Sequence, residues 1–157
     1  MFLKTFLVIS TLFFSACSIK NYEHTQSKII IIKTPKLKFA DLGYLRNTKD
    51  AIELELFVAG KSIEKFTINH LVCVNAGCMS KSGFNTEYLN AAYPDELLQN
   101  IFLGKRIYDA KNSLNTEDGF IQEIKTKSVD IKYVVKSKEI FFKDRKNRII
   151  FKIKDVK

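Results

Sequence analysis

Three cysteines, two histidines and a few paired acids are the residues of this 157-residue chain able to do chemistry. Cys73 and Cys78 stand in Leu71-Val72-Cys73-Val74-Asn75-Ala76-Gly77-Cys78-Met79, a C-x4-C spacing. Asn-Ala-Gly tolerates a tight hairpin turn, and cysteines facing each other across a short hairpin reach disulfide distance. A redox or metal role calls for C-x-x-C or for nearby histidines. His70 is the one imidazole close in sequence, and His24 lies far upstream. The spacing therefore favours a structural disulfide over a metal or redox site. Catalysis has little to build on, because H-E-x-x-H and G-x-S-x-G are absent, as is a supported Ser-x-x-Lys. Ser80-Lys81 and Ser82-Gly83 are too common to carry meaning alone. Glu53 and Glu55 are same-face neighbours on a predicted strand, better explained as salt-bridged surface residues than as an acid–base pair. No glycine-rich loop follows a strand to hold a phosphate. The expectation is a binding protein with no catalytic residues and no metal ligands.

The third cysteine, Cys17, ends the stretch MFLKTFLVISTLFFSAC. Lys4 precedes an apolar run from Phe6 to Phe14, and Ser15-Ala16 follow. A charged start, a short apolar middle and small residues at a cut form the layout of a secretory signal peptide. Phe6 to Ala16 is 11 residues, against ~20 for a bilayer-spanning helix, which weakens a transmembrane reading. A cysteine directly after small residues resembles the lipobox of bacterial lipoproteins, with Phe14 where Leu is usual. That resemblance implies cleavage after residue 16 and a diacylglycerol thioether on Cys17. With its further acyl chain, Cys17 then anchors the protein to a membrane, since more than one chain makes attachment durable. No other cofactor is expected. In that family Ser18, in place of Asp, leans toward the outer membrane and a periplasm-facing domain. Such an oxidising compartment suits a Cys73–Cys78 disulfide.

Hydrophobic residues make up 46% of the chain, with two prolines and six glycines, which argues for a folded domain rather than a disordered tether. Residues 1–16 hold one charged residue, Lys4, so the net charge of +9 falls to +8 without them. A basic surface meets anionic headgroups or acidic partners. The charges are nevertheless interspersed, and the densest cluster, Lys143 to Arg148, falls where a hairpin turn is expected. It reads as a solvated turn, and no nucleic-acid partner is expected for an exported lipoprotein.

The elements that must position these residues are mostly strands. Residues 17–27 read as the lipidated cysteine and a polar tether, and residues 28–157 as one β-rich domain. Ile29–Ile32, a strand after Pro35, Ala51–Ala59, Ser62–Ile68, Leu71–Val74 and Cys78–Ser80 form a meander, with a turn at Gly60-Lys61. In Ala51–Ala59, Ile52, Leu54, Leu56 and Val58 face one way and Glu53, Glu55 and Phe57 the other. Ser82 or Asn85 is placed to cap a short turn that includes Glu87, Tyr88 and Leu89. Pro94 to Gly104 has Pro at its start, acids in its first turn and Gly at its end, which predicts a helix. Residues 109–119 read as a polar loop. Strands return at Phe120–Lys125, Val129–Val135, Glu139–Lys143 and Ile149–Ile153. The order predicts an α+β, β-rich fold: a curved antiparallel sheet, with an incomplete barrel as one form of it, and one or two short helices on one face.

Thirteen Phe and six Tyr with no Trp are a large aromatic load, most of it suited to a sheet–helix core. Phe141 and Phe142 are adjacent, so one must face away. Apolar residues on both sides of a strand imply a second covering layer or an internal apolar cavity. The meander, the segment Tyr93-Pro94-Asp95-Glu96-Leu97-Leu98-Gln99-Asn100-Ile101-Phe102-Leu103-Gly104-Lys105 and the closing strands resemble the lipoprotein-localisation carrier and receptor (LolA/LolB-like) family. That resemblance implies an incomplete barrel closed by helices, whose concavity takes acyl chains of other lipoproteins. It assigns Leu97, Leu98, Ile101, Phe102 and Leu103 to the lining or lid of that concavity; ordinary helix-on-sheet packing is the other role open to them. The expected function is binding and hand-over of lipid at the outer membrane. The alternative is a non-enzymatic envelope lipoprotein that docks a protein partner. Mature protein extracted from membranes is expected to start at Cys17 with a diacylglyceryl adduct, read by intact mass; a chain retaining residues 1–16 rejects the leader.

Overall fold

The structure is a computed structural model that describes Tyr22, residues 24–48 and residues 50–156. Residues 1–21, which hold the expected signal peptide, Cys17 and the start of the expected tether, lie outside the described residues. Six strands open the fold: β1 (His24–Lys33), β2 (Lys38–Asn47), β3 (Ile52–Val58), β4 (Lys61–Ile68), β5 (Leu71–Val74) and β6 (Gly77–Ser80). Two short helices follow, α1 (Lys81–Tyr88) and α2 (Leu97–Phe102). Five strands close it: β7 (Ser113–Thr116), β8 (Gly119–Lys125), β9 (Asp130–Lys136), β10 (Glu139–Asp144) and β11 (Ile149–Asp155). Each half is a meander, and β1 pairs with β11 to join them into one open antiparallel sheet in the order β6-β5-β4-β3-β2-β1-β11-β10-β9-β8-β7. The expected β-rich α+β class with a curved sheet and helices on one face is what the chain forms.

Alternation along the strands decides which face is covered. Tyr133, Phe142, Phe151, Ile32 and Phe39 are successive cross-strand partners from β9 to β2, and all five are buried. Ile52, Leu54 and Leu56 of β3 extend this face. A register shift between Leu56 and Phe57 breaks the period. Val58 is therefore exposed rather than inward, and Phe57 meets Tyr44 edge-on at 5.4 Å on the outer face. Of the adjacent pair, Phe142 is fully buried, while Phe141 sits under Lys152 Nζ, 5.8 Å from its ring centroid.

Three of the hairpin turns share a device. Thr34, Thr48 and Thr126 each head a four-residue turn. The Oγ1 of each accepts from the amides two and three residues on, at 2.9–3.3 Å. The Thr amide meanwhile donates to the carbonyl three residues later. Short polar side chains compete well for local amides, which makes them turn heads. The turn expected at Gly60-Lys61 is instead Ala59-Gly60, both with positive φ, as a two-residue hairpin that follows strand twist requires.

Two other boundaries differ from expectation. β1 starts at His24, inside the predicted tether, because β2 runs on to Asn47 and supplies ladder partners as far as His24. Residues 109–119 contain β7, a polar edge strand that offers no hydrophobic period to read. Arg106 ties it down through Ser113 Oγ and Asn115 Oδ1. Gly119 then admits β8 alongside β9, since a Cβ there would lie 1.9 Å from the Val135 carbonyl oxygen.

Asp144 ends β10 fully buried. Its carboxylate accepts from Tyr93 Oη and Asn147 Nδ2, both at 2.7 Å, and from the amides of Asp130, Lys146 and Asn147. Burial alone would raise its pKa, but the bonds from Asn147, Tyr93 and the Asp130 amide outweigh it and hold the carboxyl below its ordinary value. A depressed folded pKa adds stability above the unfolded pKa, lost as pH falls through the folded one. Asp144→Asn is therefore expected to melt below the wild type at neutral pH, with the gap narrowing below pH ~4, where the unfolded carboxyl protonates. A gap that stays constant across that range in thermal melts contradicts this account.

Candidate functional site

Helices of eight and six residues are too short to persist alone, so the sheet and a few polar side chains must hold them. α1 leaves β6 at Ser80, whose Oγ accepts from the Gly83 amide at 3.0 Å and caps the helix. Neither Ser82 nor Asn85 is the cap. Asn85 is instead buried and donates from Nδ2 to the carbonyls of Tyr93 and Pro94, fixing α1 to the chain leading into α2. Lys81 Nζ reaches Glu96 at 2.7 Å and Gln99 at 2.9 Å, a second tie between the helices.

The Pro94–Gly104 stretch yields a shorter helix than its grammar predicts, because Pro94 to Glu96 form a turn before Leu97. Its end is as read. Gly104 has φ +63°, its amide donates to the Ile101 carbonyl, and that of Lys105 donates to the Asn100 carbonyl. Downstream, the fully buried Gln122 exchanges bonds with the Ile107 amide and carbonyl and donates to the Lys111 carbonyl. Three buried polar side chains, Asn85, Gln122 and Asp144, thus pin the segment between the two meanders onto the sheet.

Between the helices and the sheet lies an apolar cavity of about 60 Å³. Leu98 and Phe102 line it from α2, Phe84 and Tyr88 from α1, and Phe66 and Phe151 from the sheet. Thr34, Lys36 and Leu37 of the β1–β2 turn and Leu89 edge it. Of the five residues singled out in sequence, Leu98 and Phe102 reach the cavity. Leu97 and Ile101 are buried in the core away from it, and Leu103 is half-buried against the core and does not line the cavity. The α1 aromatics are the residues sequence reading missed. Phe84 and Tyr88 are four apart and stack at 4.7 Å, a spacing that places both on one helix face and was readable in principle.

Cys73 and Cys78 face each other across β5 and β6 and are joined by a disulfide, with S–S 2.02 Å. It closes the edge hairpin from which α1 departs. The acids also have their place. Arg46 Nη1 bonds Glu55 at 2.7 Å and Glu53 at 3.2 Å, while Tyr22 Oη donates to Glu53 at 2.8 Å and Lys65 Nζ approaches it at 3.0 Å. The Arg46 bond holds the Glu55 carboxyl below its ordinary value, the opposite of what a proton donor needs. His24 begins β1 and His70 lies exposed in the β4–β5 turn. Among the described residues no group of three or more His, Cys, Asp or Glu is placed to hold a metal ion, and no helix is long and apolar enough to cross a membrane. No protein-family model, curated protein or solved structure matches the chain.

The loop between the cysteines is short, so its chain-entropy contribution is roughly 2 kcal/mol. The double variant Cys73→Ser/Cys78→Ser is expected to lose about that much in denaturant unfolding. A loss near zero means that the reduced hairpin is already held by its ladder.

Proposed function

We propose that this chain is a non-enzymatic lipoprotein of the cell envelope, anchored through acyl chains on Cys17, that takes an acyl chain beneath α1 and α2. The cavity of about 60 Å³ carries this reading, because it is apolar, lies under the helices and is edged by the charged Lys36. A dry apolar hollow gains from being filled by hydrocarbon and offers water no partners. Its volume matches about two water molecules, so it seats the end of a chain, and longer occupancy requires α1 and α2 to move outward. The open sheet with helices over its apolar face also agrees with what the carrier–receptor resemblance implies.

A second reading rests on the same volume. The core is filled well enough to serve as a rigid scaffold, which favours an anchored protein that docks a partner at the membrane. Native mass spectrometry of the chain from cells separates the two. Under the first reading a phospholipid or acylated peptide travels with the protein, and Phe84→Trp, which fills the cavity, removes it. A clean protein mass, together with no uptake of a fluorescent fatty acid, leaves the docking scaffold.

A further inference from the structure

We propose that the end of the sheet opposite the tether is a docking surface for an anionic phospholipid bilayer, with the mouth of the apolar cavity turned toward it. This deepens the acyl-binding reading and rests on it for the direction from which a chain arrives. An antiparallel meander sends its turns alternately to two ends. Tyr22, bonded to Glu53, and the His24–Asn47 pair mark the end where the chain enters the sheet. β1 is ten residues long, so the other end lies about 33 Å away.

That far end is basic. The β1–β2 turn carries Lys33, Lys36 and Lys38, all exposed. Lys33 pairs with Ile150 across β1 and β11, which brings alongside it the β10–β11 turn with Arg145, Lys146 and Arg148, also exposed. Lys146 Nζ donates in turn to the Lys127 carbonyl of the β8–β9 turn. Three acids of this end are engaged. Glu87 holds Lys36, Asp130 lies 3.4 Å from Arg145, and Asp144 is buried. Among the described residues Lys33, Lys38, Lys146 and Arg148 have no ion-pair partner. At the tether end, by contrast, Lys136 and Lys138 share the surface with exposed Glu117 and Asp118, and Asp155 pairs with Lys28.

Two features favour a bilayer over an acidic protein. Most of these cations are lysines, mobile point charges rather than forks fixed for bidentate recognition, and diffuse attraction to headgroups asks no more than that. The same rim also carries Lys36 and Leu37 at the cavity edge, so headgroup and acyl chain are met in one place.

The test uses the mature chain reconstituted through its own anchor into phosphatidylcholine vesicles. Flotation with those vesicles reads the anchor separately. Dye-labelled vesicles containing phosphatidylglycerol are expected to be captured and pure phosphatidylcholine vesicles ignored, with capture falling at high salt. Each cation brought to an anionic surface contributes about fivefold, so Lys33→Gln/Arg148→Gln is expected to weaken capture about 25-fold, and Lys136→Gln/Lys138→Gln to leave it unchanged. Equal capture of both vesicle types, or equal loss in the two variants, overturns the proposal. Retention on immobilised polyglutamate without vesicle capture also overturns it and assigns the end to an acidic polypeptide. A chain that does not float rejects the anchor; cosedimentation of that chain with phosphatidylglycerol vesicles, weakened by Lys33→Gln/Arg148→Gln, then still upholds the basic surface, and its absence overturns it.

Discussion

The pairing of β1 with β11 is the contact on which the remaining architecture depends. It sets Ile30 against Ile153 and Ile32 against Phe151, uniting two meanders that would otherwise each present a half-width apolar face and a bare edge. Ordering a contact between strands so far apart in sequence costs loop-closure entropy, repaid when the apolar rows of both halves merge into one face. Lys28 pairs with Asp155 where this ladder ends, a minor addition beside the burial of four large side chains.

A continuous apolar face must be covered, and the segment between the meanders is too poor in regular structure to cover it by helix packing alone. Hydrophobic attraction is non-directional, so it draws this segment to the sheet without fixing where it rests. Asn85, Gln122 and Asp144 supply the direction. Each buries a polar group whose partners lie in this segment or against it, and displacement would strand buried donors or acceptors. The helices are thereby held in one position, and the small cavity beneath them is what that position leaves unfilled.

Charge follows from the same topology. Along the chain Lys and Arg alternate with Asp and Glu, and the Lys143–Arg148 cluster looks like an isolated solvated turn. Folded, it lies beside the β1–β2 turn because β11 lies beside β1, while Glu87 and Asp130 are drawn into pairs and Asp144 into the core. The asymmetry between the two ends of the sheet is a property of strand order, which local spacing does not encode.

The strands with clear alternation, the disulfide hairpin and the glycine-closed helix were legible in the residues, because period-two burial, a two-residue turn and a positive φ are each set within a few positions. The Ser80 cap, the Thr-headed turns and the Phe84–Tyr88 stack are local as well, each set by residues two to four positions apart. β7 was not legible, since a polar edge strand has no buried face to write a period. Nor were the buried Asn85, Gln122 and Asp144, whose polar types read as surface until distant partners enclose them. Which of Leu97, Leu98, Ile101, Phe102 and Leu103 would face a cavity depended on the seating of α2. Local patterning thus specified the elements and their inward faces, and long-range strand order specified the cavity and the charged end, because both are made of residues that meet only when β1 finds β11.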